Sequence, residues 1–523
     1  MQSREPGSSL RTVTFLLFVA QVLRSAWLSD DAFYSIRAAD NLAHGFGLTF
    51  NPGERVQVFT NPLWTLLLST LLVFFKSAYF VALLAGVVAS AGAVLLAATR
   101  IARTASAAAV GILLCCLSRA FVDFSTSGLE NSLGFLLLAS FFWAYWAGRT
   151  WRRQIFWLAL FGGATAFNRL DAILIVAPAL AHALFVRRSL RSLGLTLLGF
   201  APLLGWLLIA KLYYGVALPN TAYAKLNLAL PSGQVWTQGL AFFTDSLNRD
   251  PITLLTCAWM IVACFRRLGP AQGADDDRNQ ALFASLGALL YLVYVASVGG
   301  DFMSGRSLTL PFFVAVLVFV RCVGPQQSRA ELQAVAAIAA ATVFVLPHGT
   351  MVEHTECVVP DSGVVNERYC YETHTALLYN LHSEFYKTHP YWQEGARAAA
   401  ENRRIVEAGA GLAAQAAGPR LYVLNGFAMG DALLSRIRFV PNGGWRIGHY
   451  FRLNPPGYLE SLESGRNELS DPCMRRFYAE LRVLIREPLF SWRRIRRVFS
   501  ASELDSYETW AASHCSGLDA AQH

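Results

Sequence analysis

Two adjacent aspartates, Asp30 and Asp31, stand directly after the first long apolar run of the sequence. One aspartate would be enough to cap the short helix that the following residues predict. Two neighbouring carboxylates at the end of a membrane span are costly without a cation. A carboxylate in this position can take the proton of a hydroxyl group as that group becomes a nucleophile. We therefore predict that Asp30 and Asp31 are catalytic residues.

Other charged residues occur in short segments between later apolar runs. They are Glu130 in TSGLEN, Arg169 in NRLD, Lys225 in PNTAYAK, and Asp301 and Arg306 in GGDFMSGR. Arg37 belongs to AFYSIRAADNLAHG, which predicts a short helix that Gly45 can end. Singly, these residues have ordinary explanations, such as helix capping by Glu130 or an ion pair between Arg169 and Asp171. Because arginine and lysine bind phosphate, the set as a whole predicts a site for a donor phosphate and its substrate.

The composition indicates that a membrane domain positions these residues. The 523-residue chain is 54% hydrophobic and 15% charged, with a mean hydropathy of +0.38. Soluble domains carry about 25% charged residues. A transmembrane helix needs about 20 mostly apolar residues, and the apolar residues here fall into runs of that order. The prediction is an all-α polytopic membrane domain.

The apolar runs predict eleven spans. These cover residues 12–29, 78–99, 104–118, 132–148, 154–168, 171–186, 193–213, 251–265, 281–298, 307–321 and 331–347. The stretch 62–75 is short for a span and predicts a re-entrant or interfacial helix. With a cytoplasmic N-terminus, this count puts every basic cluster between spans inside, as the positive-inside rule requires.

The same count predicts two domains. Residues 1–347 form the transmembrane domain, with a first outer loop at 30–77, and residues 348–523 form an extracytoplasmic C-terminal domain of mixed α/β structure. In the latter, LYVLNGFAM (421–429) predicts a strand. The net charge of +9 is explained by arginines that flank apolar runs, so no nucleic-acid partner is predicted. No small-residue cleavage site follows the first run, which predicts an uncleaved first helix.

Four cysteines lie in the polar C-terminal part, namely Cys357, Cys370, Cys473 and Cys515. Their even number fits two disulfides if this part is exported, with three pairings open. In the first outer loop, Glu54 and Arg55 have no expected role beyond a solvated pair.

Transfer of a sugar from a polyprenyl phosphate to a hydroxyl group would use this set of acids and bases. A carboxylate deprotonates or orients the acceptor, and cations offset the charge on the departing phosphate. The transition state has oxocarbenium character, which a nearby carboxylate stabilises. The two aspartates fit the first role, and Arg37, Lys225 and Arg306 fit the second.

In these motifs the chain resembles the GT-C superfamily of integral-membrane glycosyltransferases, whose diagnostic feature is an acidic pair just after the first span. More narrowly, the chain is similar to the bacterial group of the terminal β-(1→2)-arabinofuranosyltransferase of mycobacterial arabinan. The motifs that carry this resemblance are DDAFYSIRAADNLAHGFGLTFNPGERVQVFTNPLW, TSGLEN, PNTAYAK, GGDFMSGR and WRIGHYFRLNPPGYLESL.

The resemblance implies that Asp30 or Asp31 is the catalytic aspartate and that its neighbour orients the substrate or helps to bind a metal. Other superfamily members use a divalent ion at this loop. No set of metal ligands is evident here, so the metal site is unknown and a divalent cation is the only candidate cofactor. Two motifs depart from the pattern: Ser304 stands where proline is expected, and NRLD stands where Arg-Pro-Glu is common, so that Asp171 replaces the glutamate. The group also occurs in bacteria without arabinan, so arabinofuranose is one candidate sugar.

The predicted partners are a polyprenyl-phosphate sugar donor, membrane lipids, and a glycan, lipid or protein acceptor of a bacterial cell envelope. The predicted location is the inner membrane. A protein O-glycosyltransferase, for example one acting on pilin, would use the same donor. A lipid flippase or transporter would place polar groups near the bilayer midplane and show paired repeats, which this sequence lacks. A structural subunit that binds cell-wall polymer remains an alternative if the acidic pair is dispensable.

Overall fold

The structure is a computed structural model, and it describes residues 8–147, 153–266, 276–322, 357–407, 409, 411–441 and 445–515. Up to residue 322 the helices are α1 Ser8–Arg24, α2 Ala32–Ala43, α3 Pro62–Phe74, α4 Ala78–Leu96, α5 Ala105–Leu117, α6 Arg119–Asp123, α7 Asn131–Trp146, α8 Gln154–Asn168, α9 Ile173–Arg187, α10 Leu190–Tyr214, α11 Asn220–Leu226, α12 Ser232–Arg249, α13 Pro251–Arg266, α14 Asp276–Ser297 and α15 Thr309–Cys322. The C-terminal part contains α16 Glu367–Thr375, α17 Leu377–Asn380, α18 Pro390–Ala400, β1 Ile405–Glu407, α19 Gly411–Ala417, β2 Tyr422–Leu424, α20 Tyr458–Ser464, α21 Pro472–Arg486, α22 Trp492–Phe499 and α23 Tyr507–His514.

Ten of the eleven predicted spans coincide with helices, namely α1, α4, α5, α7, α8, α9, α10, α13, α14 and α15. The eleventh, at 331–347, lies outside the described residues. Within the described residues, four helical stretches are long and apolar enough to cross a membrane: Ala78–Ile101, Leu170–Arg187, Leu190–Tyr214 and Asp277–Ser297. The predicted interfacial segment forms α3, a 13-residue helix. The number of spans stays a prediction, because several of the apolar helices are shorter than a span.

The chain folds into two compact units, each assembled from separate segments. Unit 1 consists of Met1–Ser29, Ala82–Leu203 and Gly233–Ser383. Unit 2 consists of Asp30–Val81, Leu204–Ser232 and Glu384–His523. The predicted boundary at residue 347 separates residues in the membrane from residues outside it, which is a different division from that into compact units. It stays a prediction.

Neighbouring helices of unit 1 run antiparallel. Asn168, at the end of α8, donates a hydrogen bond to the backbone carbonyl of Glu130, just before α7, at 3.0 Å. Gln154, at the start of α8, donates to the carbonyls of Ala144 and Tyr145 at the end of α7. Each end of α7 therefore has an opposite end of α8 beside it. In addition, Arg187 at the end of α9 donates to Gln154, so the end of α9 lies at the end of α7.

Further basic residues gather at that same end of unit 1. Gln280, near the start of α14, donates to the carbonyl of Tyr145 at the end of α7 at 3.1 Å. One helical turn earlier, Asp277 forms ion pairs with Arg103 and Arg321. The end of the bundle that contains the start of α14 is thus rich in arginine.

Unit 2 contains a small parallel β-sheet. Strand β1 pairs with β2, with Ile405 opposite Tyr422, and α19 connects the two strands. The predicted strand 421–429 is a strand only over Tyr422–Leu424. The strand ends there because the side chain of Asn425 accepts a hydrogen bond from the N–H of Phe427, a local turn that competes with strand pairing.

Two disulfides join the C-terminal cysteines, as the even number predicted. They are Cys357–Cys370, in unit 1, and Cys473–Cys515, in unit 2. The sequence alone left three pairings open.

Candidate active site

Asp30 attaches the first outer loop to the beginning of α19. Its carboxylate oxygens accept hydrogen bonds from the backbone N–H groups of Gly411, at 2.7 Å, and Leu412, at 2.9 Å. N–H groups in the first turn of a helix lack partners within the helix, so a carboxylate there satisfies them. A Cβ at position 411 would lie 2.2 Å from the carbonyl oxygen of Asp30, so glycine is required. Asp30 therefore caps a helix, but a different one from the helix that follows it in sequence.

The environment of Asp30 favours its neutral form. The residue is 5% exposed, and burial raises the pKa of its carboxyl group from 3.8 to about 7. The neighbouring Asp31 also raises this pKa, while the two backbone donors lower it and offset only part of the effect. Since both oxygens of Asp30 are occupied and almost inaccessible, the residue is poorly placed to take a proton from a substrate.

Asp31 has a different environment from its neighbour. It occupies the N-cap position of α2, yet its side chain makes no capping hydrogen bond. Its side chain is partly exposed. Helix capping, the ordinary explanation for an aspartate at this position, therefore does not account for Asp31. Of the predicted catalytic pair, Asp31 is the more accessible residue.

Arg37 forms structural contacts inside unit 2. It is buried, and its guanidinium group donates to the backbone carbonyls of Phe50, at 2.9 Å, Leu421, at 3.0 Å, and Ala414. Burial lowers its pKa to about 10, although Asp40 raises it. These contacts join the first outer loop to α19 and to the start of β2. They give Arg37 a structural role, and we therefore remove it from the set of proposed phosphate-binding residues.

Lys225 lies in the last turn of α11 and is exposed. The helix is held at its other end by Asn220, whose side-chain amide donates to the backbone carbonyls of Ala428, Met429 and Asp431 at 2.9–3.0 Å. This contact fixes α11 in unit 2.

Three loops of unit 1 meet at Glu130. Its Oε1 accepts hydrogen bonds from Nη1 of Arg169 and from Nη2 of Arg306, both at 3.1 Å. Arg169 also donates through Nε to Asp171 at 2.8 Å, and Nη1 of Arg306 lies 4.0 Å from Asp301. The structure thus brings together four of the residues that the sequence predicted separately, namely Glu130, Arg169, Asp301 and Arg306.

The Glu130 cluster, as we call these four residues with Asp171, orients two arginines. Glu130 is the N-cap residue of α7 but makes no capping hydrogen bond, and its side chain is 1% exposed. Burial lowers the pKa of Arg169, but its acidic neighbours raise that pKa further, and the net shift is upward. Both arginines are partly exposed. A buried carboxylate that fixes two partly exposed guanidinium groups suits the binding of phosphate oxygens.

Asp301 and Ser304 shape the loop that carries Arg306. Asp301 accepts hydrogen bonds from the N–H of Met303 at 3.2 Å and from the hydroxyl of Ser307 at 3.0 Å. Ser304, which stands where the resembling group would have proline, donates to Asp245 at 2.6 Å. The departure from the motif therefore adds a polar contact within unit 1.

A buried acidic cluster in unit 2 was not predicted. Glu54 is buried rather than solvated, so the expectation of a solvated pair with Arg55 is wrong. Glu54 accepts a hydrogen bond from Arg486 at 2.7 Å, and the hydroxyl of Tyr422 lies within hydrogen-bonding distance of both Glu54 and Asp431. Burial raises the pKa of Asp431 to about 6. The partners of Glu54 lie more than 360 residues away in sequence, so no local pattern could reveal them.

The residues of the first outer loop do not fit a divalent cation at Asp30. A cation needs carboxylate oxygens with accessible lone pairs, whereas backbone N–H groups already occupy both oxygens of Asp30. Within the described part of the chain, no group of three or more potential His, Cys, Asp or Glu ligands occurs. We therefore derive no step through a metal.

Comparison with curated proteins finds two relatives with the same name. The terminal β-(1→2)-arabinofuranosyltransferase of Mycobacterium tuberculosis is 29% identical over 340 residues, which cover 58% of this chain and 53% of that protein. The enzyme of the same name from Corynebacterium glutamicum is 28% identical over 353 residues, which cover 56% and 47%. The resemblance is confirmed. The chain spans about half the length of these relatives.

Two solved structures show a weaker likeness. ArnT from Cupriavidus metallidurans bound to undecaprenyl phosphate has a TM-score of 0.45 and 14% identity, with 82% of this chain and 76% of that chain covered. The apo state of the same protein has a TM-score of 0.42. No protein-family model matches the chain.

Proposed function

We propose that the chain is a membrane glycosyltransferase that moves a sugar from a polyprenyl-phosphate donor to a hydroxyl group of a cell-envelope acceptor. The similarity to two terminal β-(1→2)-arabinofuranosyltransferases carries this proposal. The acid–base chemistry of Asp31 and of the Glu130 cluster supports it. Arabinofuranose is the first donor sugar to test, because both relatives are named for its transfer.

We further propose that transfer takes place on the outer face of a bacterial inner membrane, with the N-terminus in the cytoplasm and the C-terminal residues outside. The Glu130 cluster lies at the beginning of α7, whereas Arg103, Arg187 and Arg321 lie at the opposite end of unit 1. Arginine-rich ends of membrane helices face the cytoplasm. This distribution of charge supports an outer location for the Glu130 cluster.

In the proposed reaction, Asp31 takes the proton of the acceptor hydroxyl as its oxygen forms a bond to the anomeric carbon. The bond between that carbon and the phosphate oxygen breaks, and polyprenyl phosphate leaves with the electron pair. Arg169 and Arg306 of the Glu130 cluster are proposed to stabilise the charge that develops on the phosphate, and Lys225 remains a predicted phosphate ligand. Glu130 and Asp301 would act through the arginines as positioning residues. A general base of this kind contributes about 10²- to 10⁴-fold to the rate.

The test is turnover of a panel of polyprenyl-phosphate sugars by the full-length protein in proteoliposomes. We expect Asp31→Asn to lower the transfer rate by at least about 100-fold without lowering the amount of folded protein. Asp40→Asn is the matched control, since Asp40 lies on the same helix and contacts His44 and Gln415. This variant should retain activity.

The two ways of failing are distinct. If the unmodified chain transfers no sugar from any donor of this class to glycan, lipid or protein acceptors, the proposed function is wrong. If the unmodified chain is active and Asp31→Asn remains fully active, only the role of Asp31 is wrong. An acceptor panel that includes a pilin-type protein separates the envelope-glycan enzyme from a protein O-glycosyltransferase.

A further inference from the structure

Helix α22 presents aromatic and basic side chains to the outside of unit 2. Phe490 just before it is 88% exposed, Trp492 at its start 65% and Phe499 at its end 83%. Arg493 is also exposed, and the guanidinium group of Arg496 lies 5.0 Å from the centre of the Trp492 ring. Isolated apolar residues on a surface are ordinary, but three large aromatic rings on one short segment form a patch that calls for a partner.

The opposite side of α22 holds the helix in a fixed orientation. Arg494 is buried, and its guanidinium group donates to the backbone carbonyls of Leu484, at 2.9 Å, Leu489, at 3.1 Å, and Tyr213, at 2.8 Å. Val498, one turn further on, is buried as well. The exposed aromatic and basic residues therefore cannot turn inward without breaking these contacts.

The contact with Tyr213 locates α22 relative to a candidate membrane span. Tyr213 lies in the last turn of α10, which is long and apolar enough to cross a bilayer. On α10, Leu208 and Leu212 remain exposed, as lipid-facing side chains would be. A helix that is hydrogen-bonded to the end of a span lies at the level of the lipid head groups. The surroundings of α22 are thus those of an interfacial helix.

The charge of this segment complements an anionic membrane surface. Residues 486–503 contain five arginines and two glutamates. Both glutamates pair with arginines of α22: Glu487 lies 3.7 Å from Arg493, and Glu503 binds Arg497 at 2.8 Å. Arg486 binds Glu54 and Arg497 also lies near Glu480, so the positive charge that remains on the outer side of α22 comes from Arg496 and from Arg493, whose pair with Glu487 is long and exposed. Aromatic side chains at the membrane boundary with arginines beside them are typical of segments that bind anionic lipids.

We propose that α22 lies in the head-group region of the leaflet at the C-terminal end of α10 and binds anionic phospholipid there. The rings of Phe490, Trp492 and Phe499 enter the boundary between head groups and acyl chains, while Arg493 and Arg496 contact lipid phosphates. This interaction holds unit 2 against the bilayer surface. It does not depend on the proposed glycosyl transfer, because it needs only a membrane at the end of α10.

The test uses the full-length protein with a nitroxide label at Phe499→Cys, reconstituted in vesicles of phosphatidylcholine alone or mixed with phosphatidylglycerol. Saturation measurements with oxygen and a water-soluble nickel complex give the depth of the label. We expect a depth of about 5 to 10 Å below the head groups in the mixed vesicles. A label at Ser464→Cys, an exposed position on α20, is the matched control and should report water. The chain without an introduced cysteine measures any labelling of native thiols.

A charge-reversal variant tests the role of the arginines. Arg493→Glu combined with Arg496→Glu should lower the ratio of membrane-bound to water-exposed label by at least about fivefold per arginine, because each basic residue near an anionic surface contributes about that factor. Both residues lie on the outer side of α22, so the buried contacts of Arg494 are retained.

Three outcomes would overturn the proposal. One is a label at position 499 that is as accessible to the nickel complex as the label at 464 in both kinds of vesicle. Another is a label at position 499 that is buried in the membrane to the same extent with and without phosphatidylglycerol and with and without charge reversal. This result would show that α22 does not bind anionic phospholipid. The third is protection of the label only at high protein concentration, which would identify a second copy of the chain as the occupant of this face.

Discussion

Replacing Asp30 by asparagine is expected to remove a pH dependence from the stability of the folded chain. Because burial raises the pKa of Asp30 from 3.8 to about 7, the folded state holds a proton that the unfolded state releases at lower pH. The stabilising contribution of this group is therefore complete below pH 3.8 and is lost as the pH rises through 7. Each pKa unit is worth about 1.36 kcal/mol, so full ionisation costs about 4 kcal/mol, of which about 3 kcal/mol falls between pH 5 and 8.

Asparagine has nearly the shape of the protonated carboxyl group and cannot ionise. At pH 5 the free energy of unfolding of the Asp30→Asn variant should be about 1 to 3 kcal/mol lower than that of the unmodified chain. The reason is that one backbone N–H at the start of α19 then faces the NH2 group of the amide instead of an oxygen. At pH 8 the ionisation cost of the unmodified chain offsets this loss. The difference between the two chains in free energy of unfolding should thus become smaller as the pH rises from 5 to 8.

The assay is thermal unfolding in detergent, followed by tryptophan fluorescence at a series of pH values between 5 and 8. The quantity of interest is the difference between the two chains, since other groups titrate equally in both. Asp40→Asn, on the same helix, serves as the control and should keep the pH dependence of the unmodified chain. If the unmodified chain instead gains stability over Asp30→Asn as the pH rises, the N–H donors outweigh burial, and the reasoning about Asp30 is refuted.

Three more perturbations test the contacts of the two units. Gly411→Ala should cost about 1 to 3 kcal/mol, because its Cβ would meet the carbonyl oxygen of Asp30, and thermal unfolding should show this loss. Glu130→Gln should cost about 3 to 5 kcal/mol by removing a buried partner of two arginines, whereas Glu401→Gln, in an exposed pair, should cost at most about 1 kcal/mol. Equal losses in these two variants would contradict the assigned burial. Cys473→Ser should cost about 4 kcal/mol, since it opens a loop of 42 residues, and an unchanged melting temperature would contradict this estimate.

The sequence was sufficient for the elements that depend on local pattern. Runs of apolar residues predicted ten helices that the structure contains, and Gly45, with φ of +82°, follows the end of α2 as expected. The number of cysteines predicted two disulfides. The helix predictions are correct because neighbouring residues determine helix formation and span length, so a single sequence contains the required information.

The roles of individual charged residues could not be predicted in the same way. Asp30 and Asp31 are chemically identical in the sequence, and only the distant Gly411 and Leu412 distinguish them. Arg37 was predicted to bind the donor phosphate, yet its guanidinium group donates to backbone carbonyls. The burial and hydrogen bonding of a charged side chain depend on residues that lie hundreds of positions away in sequence. A local sequence pattern therefore cannot predict them.

The hydrogen bonds of Asp30 also have a consequence for biosynthesis. The carboxylate is made 381 residues before the N–H group of Gly411 that satisfies it. At about 5 to 20 residues per second, a ribosome needs about 20 to 80 s to cover that distance. During this interval the nascent first loop holds an acid without its final partner, and unit 2 can close only after its third segment, Glu384–His523, has emerged. Truncated chains that stop before residue 411 should therefore be substrates for quality-control proteases rather than partly functional enzymes.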